Sequence, residues 1–482
     1  MHNKEYMKVK NHFLITSIII AFFAVAPSAF AATIERVSLS NAGVQGNNFS
    51  NGTSISGDGR YVGFHSQASN LVLGDMNNDI DIFVYDRTTN TIERVSVDSL
   101  GNEANNISLD QEISTDGEYV AFSSLASNLV PNDTNSASDV FVYNRILDIT
   151  ERVSVNNLEA EGNENSSNAS ISTNGRFVAF MSTATNLVPN DTNNKSDIFV
   201  YDRAADNIER VSVDNAGVQG NEISHNLEIS DSGRYVTFTS DADNLVPDDT
   251  NATADIFVYD RTTETIQRVS VNGVGIEGNA SSFSPSISAD GRYITYHSWA
   301  TNLHPADTTA WADVFVFDRL TSAVELVSVS SAGVQSNFES FNASISANGR
   351  YVSYGSNASN LVPGVINGES DIYVFDRTTD TIKRLSVNSM GVEGNQLSDS
   401  NSISADGRFT AFMSYASNLV AGDTNAQADV FVRDLPNLIQ LQPAKPVMFS
   451  TTTNNDTGIS GERAVVSEKS DIKEVPVSEK TQ

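Results

Sequence analysis

The sequence of 482 residues contains no cysteine. This absence excludes disulfide bonds, a lipid-modified cysteine and catalysis by a thiol. It also excludes zinc or iron–sulfur binding through thiolates. The folded state must therefore be stabilised by its own core and its own hydrogen bonds.

Basic residues are scarce as well. There are 29 Lys and Arg against 60 Asp and Glu, which gives a formal net charge of -31. A chain with this charge repels phosphate backbones and anionic lipid surfaces. We therefore expect no nucleic-acid partner, whereas cations and the basic surfaces of other proteins are candidate partners.

Common catalytic signatures are missing too. The sequence has no G-x-S-x-G, no H-E-x-x-H and no cofactor fingerprint, and it has only 6 histidines. Carboxylates are abundant, but they are spread evenly along the chain, which is typical of fold and solvation rather than of a glycosidase pair. These patterns predict no catalytic residue.

The N-terminus carries the single long apolar run. Lys4, Lys8 and Lys10 precede an apolar run over residues 13–25, and Ala29-Phe30-Ala31 supplies the small residues of a cleavage site. The run is too short for a good membrane-spanning helix. We predict a signal peptide over residues 1–31, cleavage near Ala31, and a periplasmic or secreted mature protein without a transmembrane segment.

The C-terminal residues differ in composition from the rest of the chain. Residues 443–482 are polar and charged and show no apolar periodicity. This composition predicts a disordered tail, which either tethers the folded body or has no role beyond solvation.

Between these two ends the sequence repeats in a constant register. The step is 58 residues, as from Val37 to Val95. The Asp that opens each D-I-F-V-Y-D-R segment recurs with this step at Asp81, Asp139, Asp197, Asp255, Asp313, Asp371 and Asp429. The chain therefore contains seven units without an insertion, which is typical of a repeat architecture.

Each unit predicts four strands. In the third unit β-branched and aromatic residues mark strands that end at Ser172 or begin at Arg176, Asp197 and Asn207. Asn174-Gly175 predicts a two-residue hairpin turn between the first strand and the second. The two middle strands are apolar on both faces, so each sheet must be covered on both sides, as the blades of a propeller are.

The two ends of the repeat region are complementary. Residues 33–38 form a lone fourth strand, whereas the last unit stops after its third strand at Asp434. Pairing of the two would close a ring and remove two sheet edges. We therefore predict an all-β, seven-bladed β-propeller of four-stranded blades over residues 32–442, closed by the N-terminal strand. Residues Leu438 to Leu441 are a rival for that position.

The repeat also resembles a known family. The pattern S-x-D-G-R-Y-V-x-F-x-S at residues 56–66, S-N-L-V at 69–72 and D-I-F-V-Y-D-R at 81–87 resembles the WD-like propeller repeats of TolB-type proteins, over nearly all of residues 33–434. This resemblance implies an envelope or extracellular location and a protein-binding propeller. TolB proteins have a further N-terminal α/β domain, whereas these blades begin directly after the predicted cleavage site. A role in the Tol–Pal system is therefore not expected.

The loops between second and third strands carry a D-x-N-x-x-x-D pattern. Oxygen ligands at alternate positions of a short loop suit calcium, which takes six to eight oxygens, although the glycine and the terminal Glu of known calcium loops are missing. The alternative is structural, because Asp and Asn are common turn formers. The candidate calcium ligands are Asp75, Asn77, Asp81, Asp133, Asn135, Asp139, Asp191, Asn193, Asp197, Asp249, Asn251, Asp255, Asp423, Asn425 and Asp429.

The fifth unit departs from the repeat. His297, Trp299, His304 and Trp311 replace mostly small or aliphatic residues, and both tryptophans of the chain lie in this unit. Aromatic side chains beside histidines are typical of surfaces that stack on a sugar ring or hold a peptide. The alternative is local packing. His65 occupies the position that matches His297.

These observations favour an exported, non-catalytic propeller that binds an envelope or extracellular protein or a glycan on its acidic rim, with calcium as a candidate cofactor. The alternative is a carbohydrate-active enzyme, a lyase or a hydrolase, with its site at the channel mouth near His297 and Trp299. A third hypothesis is a passive surface or adhesion module that is attached through its tail.

Overall fold

The computed structural model describes residues 32–436. The predicted signal peptide, the predicted tail and the rival segment from Leu438 to Leu441 lie outside these residues. The described part of the chain forms seven four-stranded antiparallel sheets, and its named elements are all strands. The prediction of an all-β, seven-bladed propeller is confirmed.

Each blade is one sheet, and in blades 1 to 6 the strands run outward from the centre in chain order. Blades 1 to 3 comprise β2 (Ser50–Ile55), β3 (Tyr61–Ser66), β4 (Asp81–Asp86), β5 (Thr91–Arg94); β6 (Ser108–Ile113), β7 (Tyr119–Ser124), β8 (Asp139–Asn144), β9 (Ile149–Arg152); and β10 (Ser166–Ile171), β11 (Phe177–Ser182), β12 (Asp197–Asp202), β13 (Asn207–Arg210). Blades 4 and 5 comprise β14 (Ser224–Ile229), β15 (Tyr235–Ser240), β16 (Asp255–Asp260), β17 (Thr265–Arg268); and β18 (Ser282–Ile287), β19 (Tyr293–Ser298), β20 (Asp313–Asp318), β21 (Ala323–Leu326). Blades 6 and 7 comprise β22 (Ser340–Ile345), β23 (Tyr351–Ser356), β24 (Asp371–Asp376), β25 (Thr381–Arg384); and β26 (Ser398–Ile403), β27 (Phe409–Ser414), β28 (Asp429–Asp434) with β1 (Thr33–Arg36).

The ring closes through β1, the first strand of the chain. It pairs antiparallel with β28, with Thr33 opposite Asp434 and Arg36 opposite Phe431. Blade 7 therefore has four strands, like the others, and its outer strand comes from the opposite end of the repeat region. The predicted closure by the N-terminal strand is confirmed.

The core lies between the blades. Every residue of β12 is buried, because one face of the strand packs on the preceding blade and the other on the next. Phe180 and Phe199 are fully buried and stack across adjacent strands of blade 3, with their ring centroids 6.0 Å apart. They share a cluster with Val140 and Val142 of blade 2. Apolar runs on both faces of the middle strands thus produce seven packed interfaces.

The hairpin turn between first and second strands differs from the prediction. Ser172 and Phe177 pair at the base of a four-residue loop, in which Gly175 alone is left-handed, with a φ of 69°. The prediction of a two-residue turn at Asn174-Gly175 was therefore wrong. The glycine is needed because a Cβ there would lie 2.3 Å from the Tyr119 ring of the preceding blade.

The same aromatic position joins each blade to the next. In blade 2 the guanidinium of Arg145 stacks over the Tyr61 ring of blade 1, with 4.1 Å between its Cζ and the ring centroid. Its Nε donates to Glu93 of blade 1 at 2.6 Å. Arg87 makes the equivalent contacts with Phe409 and Glu35 across the point where the ring closes. The closing contact therefore has the chemistry of an ordinary contact between blades.

Candidate functional site

Two sets of loops share one face of the propeller. The loops between second and third strands lie beside those that lead from a fourth strand into the next blade. Asn135, for example, donates to the carbonyl of Gly162 at 2.8 Å, and this bond joins the two loops. We call this side the loop face. The predicted calcium ligands and the aromatic residues of blade 5 all belong to loops or strand ends on it.

The predicted calcium loops form clusters of carboxylates around an arginine. In blade 2, Nη1 of Arg152 lies 3.6 Å from Asp133 Oδ1, 3.1 Å from Asp139 Oδ2 and 2.8 Å from Glu161 Oε2. An arginine lies beside the two aspartates in four other blades as well. The groups are Arg94 with Asp75 and Asp81, Arg210 with Asp191 and Asp197, Arg268 with Asp249 and Asp255, and Arg36 with Asp423 and Asp429. The guanidinium supplies the positive charge in each cluster.

The asparagine of each loop turns its amide nitrogen toward the carboxylate. In blade 2 the Oδ1 of Asn135 accepts from the backbone N–H of Ala137 at 2.8 Å, while its Nδ2 donates to Asp139 Oδ2 at 3.1 Å. Both ends of the amide are therefore fixed by partners. Asn77, Asn193, Asn251 and Asn425 make the same bonds in their loops. The amide oxygen that a calcium ion would use is already an acceptor in a turn.

Three of the clusters bring together enough carboxylates to hold a metal ion. They are Asp75, Asp81 and Glu103; Asp133, Asp139 and Glu161; and Asp249, Asp255 and Glu277, whose ligand atoms lie within 4.8 Å of one another in each group. Burial raises the pKa of Asp81, Asp133 and Asp249 to about 6 in each case. The carboxyls are thus crowded and desolvated, which raises their pKa, whereas the charge of the arginine lowers it.

Blade 5 lacks this arginine. Leu326 stands in its place, and Gln335 Nε2 fills the gap by donating to Asp307 Oδ1 at 2.7 Å and Asp313 Oδ2 at 2.6 Å. The cluster therefore loses a carboxylate together with its cation, since a glutamine replaces the glutamate that pairs with arginine in blades 1, 2 and 4. Blades 3 and 7 also have glutamine at this position but keep the arginine beside two aspartates, so the loss of the cation is specific to blade 5.

The histidine and one tryptophan of blade 5 meet in an aromatic cluster beside the channel mouth. His297 and Trp299 lie with ring centroids 5.4 Å apart, and both contact Phe283 of the inner strand. His225 of blade 4 contacts the far side of Phe283 at 6.0 Å. Trp299 is 37% exposed, so part of its indole faces solvent.

His297 is the buried polar member of this cluster. It is 6% exposed, and its Nδ1 has no hydrogen-bond partner within residues 32–436. Burial lowers the pKa of His297 to about 4, so the ring is neutral at physiological pH. A neutral ring has one N–H and one nitrogen without a proton, so it can donate or accept a hydrogen bond with a ligand, but it does not act as an acid at neutral pH.

The second tryptophan forms a separate exposed pair. Trp311 stacks against Phe338 of the loop that leads into blade 6, with ring centroids 4.1 Å apart. Each of the two side chains is 40% exposed. Ser298 and Asp313 are paired across β19 and β20, so Trp299 and Trp311 stand at the two ends of one loop. We call Trp299, Phe283, Trp311 and Phe338 the blade 5 platform.

His304 lies apart from the platform. It lines a shallow pocket with Asn272, Val274 and Pro305, and its Nδ1 accepts from the backbone N–H of Ala306 at 3.2 Å. Burial lowers the pKa of His304 as well. The structure thus brings together two of the four predicted ligand-binding residues, places Trp311 at the other end of their loop, and separates His304 from them.

Sequence reasoning missed Phe283, Phe338 and His225. Phe338 was overlooked because it belongs to the next unit, although the repeat offered a signal. The positions of Trp311 and Phe338 are those of Lys195 and Glu222 in blades 3 and 4, which form an ion pair at 2.7 Å. Comparison of paired positions between units, rather than of single positions, would have found the aromatic pair.

Comparison with known proteins supports the fold and goes no further. No family model and no curated protein matches the sequence. Among solved structures, an oligogalacturonate lyase in complex with manganese is 11% identical, with 86% of this chain and 95% of that chain covered and a TM-score of 0.50. The β-propeller domain of the Trilobed protease from Pyrococcus furiosus is 11% identical, with 80% and 95% covered and a TM-score of 0.50.

TolB from Acinetobacter baumannii is also similar. It is 15% identical, with 63% of this chain covered and a TM-score of 0.37. This chain spans 59% of the length of that TolB. In residues 32–436, no helix has the length and apolar character needed to cross a bilayer.

Proposed function

We propose that this protein is an exported, non-catalytic binding protein that captures a glycan on the blade 5 platform of its loop face. The observation that carries the proposal is the pair of exposed aromatic sites at the two ends of one loop, Trp299 with Phe283 and Trp311 with Phe338. Export rests on the predicted signal peptide over residues 1–31, and the periplasm or the exterior is the expected location.

Burial of an exposed tryptophan in a complex contributes much of the binding energy at ligand-binding surfaces. Exposed tryptophans therefore indicate a binding surface. Other blades have short aliphatic, polar or charged side chains where blade 5 has Trp311, and the fold forms equally well with them. The apolar face of a sugar ring can stack on an indole, while its hydroxyls reach the amide and carboxylate groups of the surrounding loops. A glycan uses both kinds of surface.

The charge of the rim restricts the glycan. The loops around the platform are rich in carboxylates, and the chain carries a formal net charge of -31. A polyanionic sugar would be repelled from such a surface. We therefore infer a neutral or amino-bearing glycan. A protein with a basic surface is the competing partner.

We include no catalytic step in the proposal. The enzyme hypothesis places its site near His297 and Trp299, so it would need His297 to exchange protons near neutral pH. The pKa of His297 is about 4, which is far from that range. Glycan turnover by the purified protein is the outcome that would favour the enzyme hypothesis instead.

Calcium is not required by this proposal. A calcium ion at the Asp and Asn loops would have to displace the arginine from each cluster and rotate the asparagine amide. The structural role that the sequence left open accounts for these contacts without an ion. Calcium binding at the fifteen predicted residues stays a prediction, which a melting experiment tests.

The experiment is a glycan-binding screen with neutral, amino-bearing and acidic polysaccharides, followed by affinity measurements on three variants. Trp299→Ala and Trp311→Ala are expected to weaken binding at least about tenfold each. Tyr415→Ala is the matched control, because Tyr415 occupies the Trp299 position in blade 7 and is 42% exposed. Equal binding by all three variants, or binding of a protein partner alone, would refute the glycan proposal.

A further inference from the structure

The inner strands enclose an acidic cavity along the propeller axis. The cavity has a volume of about 410 Å³ and is lined by residues of all seven inner strands and of the turns that follow them. Four carboxyl groups line it, those of Asp110, Glu112, Glu228 and Asp231. The lining contains no Lys, Arg or His, so no side chain of the cavity wall offsets this charge.

One end of the cavity is constricted. Thr115 of blade 2 donates its hydroxyl to Asp231 of blade 4 at 3.3 Å, although these blades are not neighbours. Backbone bonds also join turns of successive blades, such as that from Ala405 N–H to the Gly57 carbonyl at 3.1 Å. The other end opens on the loop face, where a shallow pocket is lined by Thr53, Gln111 and Asn401. Entry from the loop face is therefore the direct route.

Glu112 and Glu228 are not needed for the hydrogen bonds between blades. Each accepts from a serine hydroxyl and from an isoleucine N–H of the next blade. The other five blades have serine at this position, and Ser170 makes the same kind of bond by accepting from the Ile229 N–H at 3.0 Å. A glutamate at this position therefore keeps the bond to the isoleucine N–H that serine also makes, adds one from the serine hydroxyl of the next blade, and brings an ionisable group to the cavity.

The same wall contains polar atoms without partners. Ser54 lines the cavity and is 6% exposed, and its hydroxyl has no hydrogen-bond partner within the described residues. Asn401 also lines it, donates its amide to Ser353 at 2.8 Å, and leaves its Oδ1 without a donor in that part of the chain. Buried oxygens without donors favour a ligand that carries N–H groups.

Three of the four carboxyls lie at two levels along the axis rather than around one point. The fourth, Asp110, accepts from the Ser123 hydroxyl at 3.0 Å. Glu112 and Glu228 lie at one level, and Asp231 follows Glu228 by three residues, which corresponds to roughly 10 Å or less along the axis. An isoleucine from each of the seven blades, from Ile55 to Ile403, forms an apolar ring between the levels. Within residues 32–436, no three of the cavity carboxyls converge closely enough to hold one metal ion. The pattern is acidic, apolar and acidic.

We propose that the central cavity binds a linear aliphatic diamine, with one ammonium group between Glu112 and Glu228, the methylene chain against the isoleucine ring, and the other ammonium group at Asp231. Burial and the charge of Glu228 raise the pKa of Glu112 to about 8, and burial raises that of Glu228 to about 7. A bound ammonium group would stabilise the ionised carboxylates and offset the cost of their burial. This site is separate from the blade 5 platform.

The test is calorimetric titration of the purified full-length protein with 1,5-diaminopentane, with pentylamine and 1,5-pentanediol as matched probes. The wild type is expected to bind the diamine at least about tenfold more tightly than the monoamine, and the diol not at all. Glu112→Ser with Glu228→Ser places the residue of the other blades at both positions and is expected to lower diamine affinity at least about tenfold. Glu118→Ser, at an exposed acidic residue of the opposite face, is the control and should bind like the wild type.

Two outcomes would overturn the proposal. One is the absence of diamine binding to a wild-type protein with a normal melting curve. The other is unchanged affinity in the Glu112→Ser, Glu228→Ser protein. Asp231→Ala, which places the alanine found at this position in blades 5, 6 and 7, supplies a second variant in case the double variant does not fold. It is expected to bind the diamine and the monoamine with nearly equal affinity, and a retained preference for the diamine would refute the second ammonium position.

Discussion

Blades 2 and 5 have the same four strands and the same register, yet they differ on the loop face. Blade 2 has Arg152 among three carboxylates, whereas blade 5 has Leu326 and Gln335 with two. Blade 5 instead carries exposed Trp299 and Trp311. The difference teaches that the acidic loops belong to the shared architecture of the blades, whereas the aromatic residues are a local addition that the fold does not require.

The largest expected effect comes from breaking the blade 2 cluster. Arg152→Leu should lower the free energy of unfolding by about 3–5 kcal/mol, because it leaves three desolvated carboxyls without their cation. Urea unfolding followed by circular dichroism measures the loss. Adding Glu161→Gln copies the blade 5 arrangement and should restore part of the stability. An Arg152→Leu protein as stable as the wild type would show that the clusters do not depend on arginine.

A smaller effect is expected when the blade 5 platform is converted into the blade 3 arrangement. Trp311→Lys with Phe338→Glu introduces the ion pair that Lys195 and Glu222 form at 2.7 Å. Stability should change by less than about 1 kcal/mol, because exposed ion pairs contribute little. Glycan affinity should fall at least about tenfold, since the stacking surface is lost. Retained affinity, measured by affinity electrophoresis, would exclude Trp311 and Phe338 from the site.

The channel glutamate of blade 2 is expected to have a pH-dependent effect. Its pKa of about 8 lies above the ordinary value of 4.5, so its ionisation costs stability progressively as pH rises between these values. Glu112→Ser should therefore raise the free energy of unfolding by about 1 kcal/mol at pH 8.5 and by less near pH 5. Melting curves at both pH values test this. An equal effect at both would contradict the raised pKa.

The smallest effect is expected from calcium. Because arginine already supplies the positive charge in the Asp and Asn loops, about 5 mM calcium should shift the melting temperature by less than about 1 °C relative to chelator. A saturable rise of several degrees, lost in Asp133→Asn, would instead support ion binding at the predicted ligands.

Much of the fold was predictable from the sequence because its determinants recur in every unit. The constant spacing gave the number of blades, and the lone strand over residues 33–38 gave the closure. The turn at Asn174-Gly175 was not predictable in this way, since its length is set by the pairing of Ser172 with Phe177 and its glycine by a ring from another blade. Local turn signals do not contain that contact.

The candidate site was predictable in part. Trp299 and Trp311 are departures from the repeat, so they can be recognised in one sequence. Their partners Phe283 and Phe338 lie in other segments, and the pairing depends on strand register and on the neighbouring blade. The arginine beside the acidic loops of the six blades other than blade 5 was missed for the same reason. Arg152 ends β9, whereas Asp133 lies in the loop between β7 and β8, and the ion pair forms only when the blade is complete.

Tryptophan fluorescence gives the most direct test of the blade 5 site, because the 2 tryptophans of the chain both belong to it. Titration with a neutral or amino-bearing glycan that binds should produce a saturable shift in emission, with the same affinity that calorimetry measures. The control variant Tyr415→Ala should respond like the wild type. Calorimetric binding of a glycan with unchanged tryptophan emission would place the ligand elsewhere and contradict the proposed function.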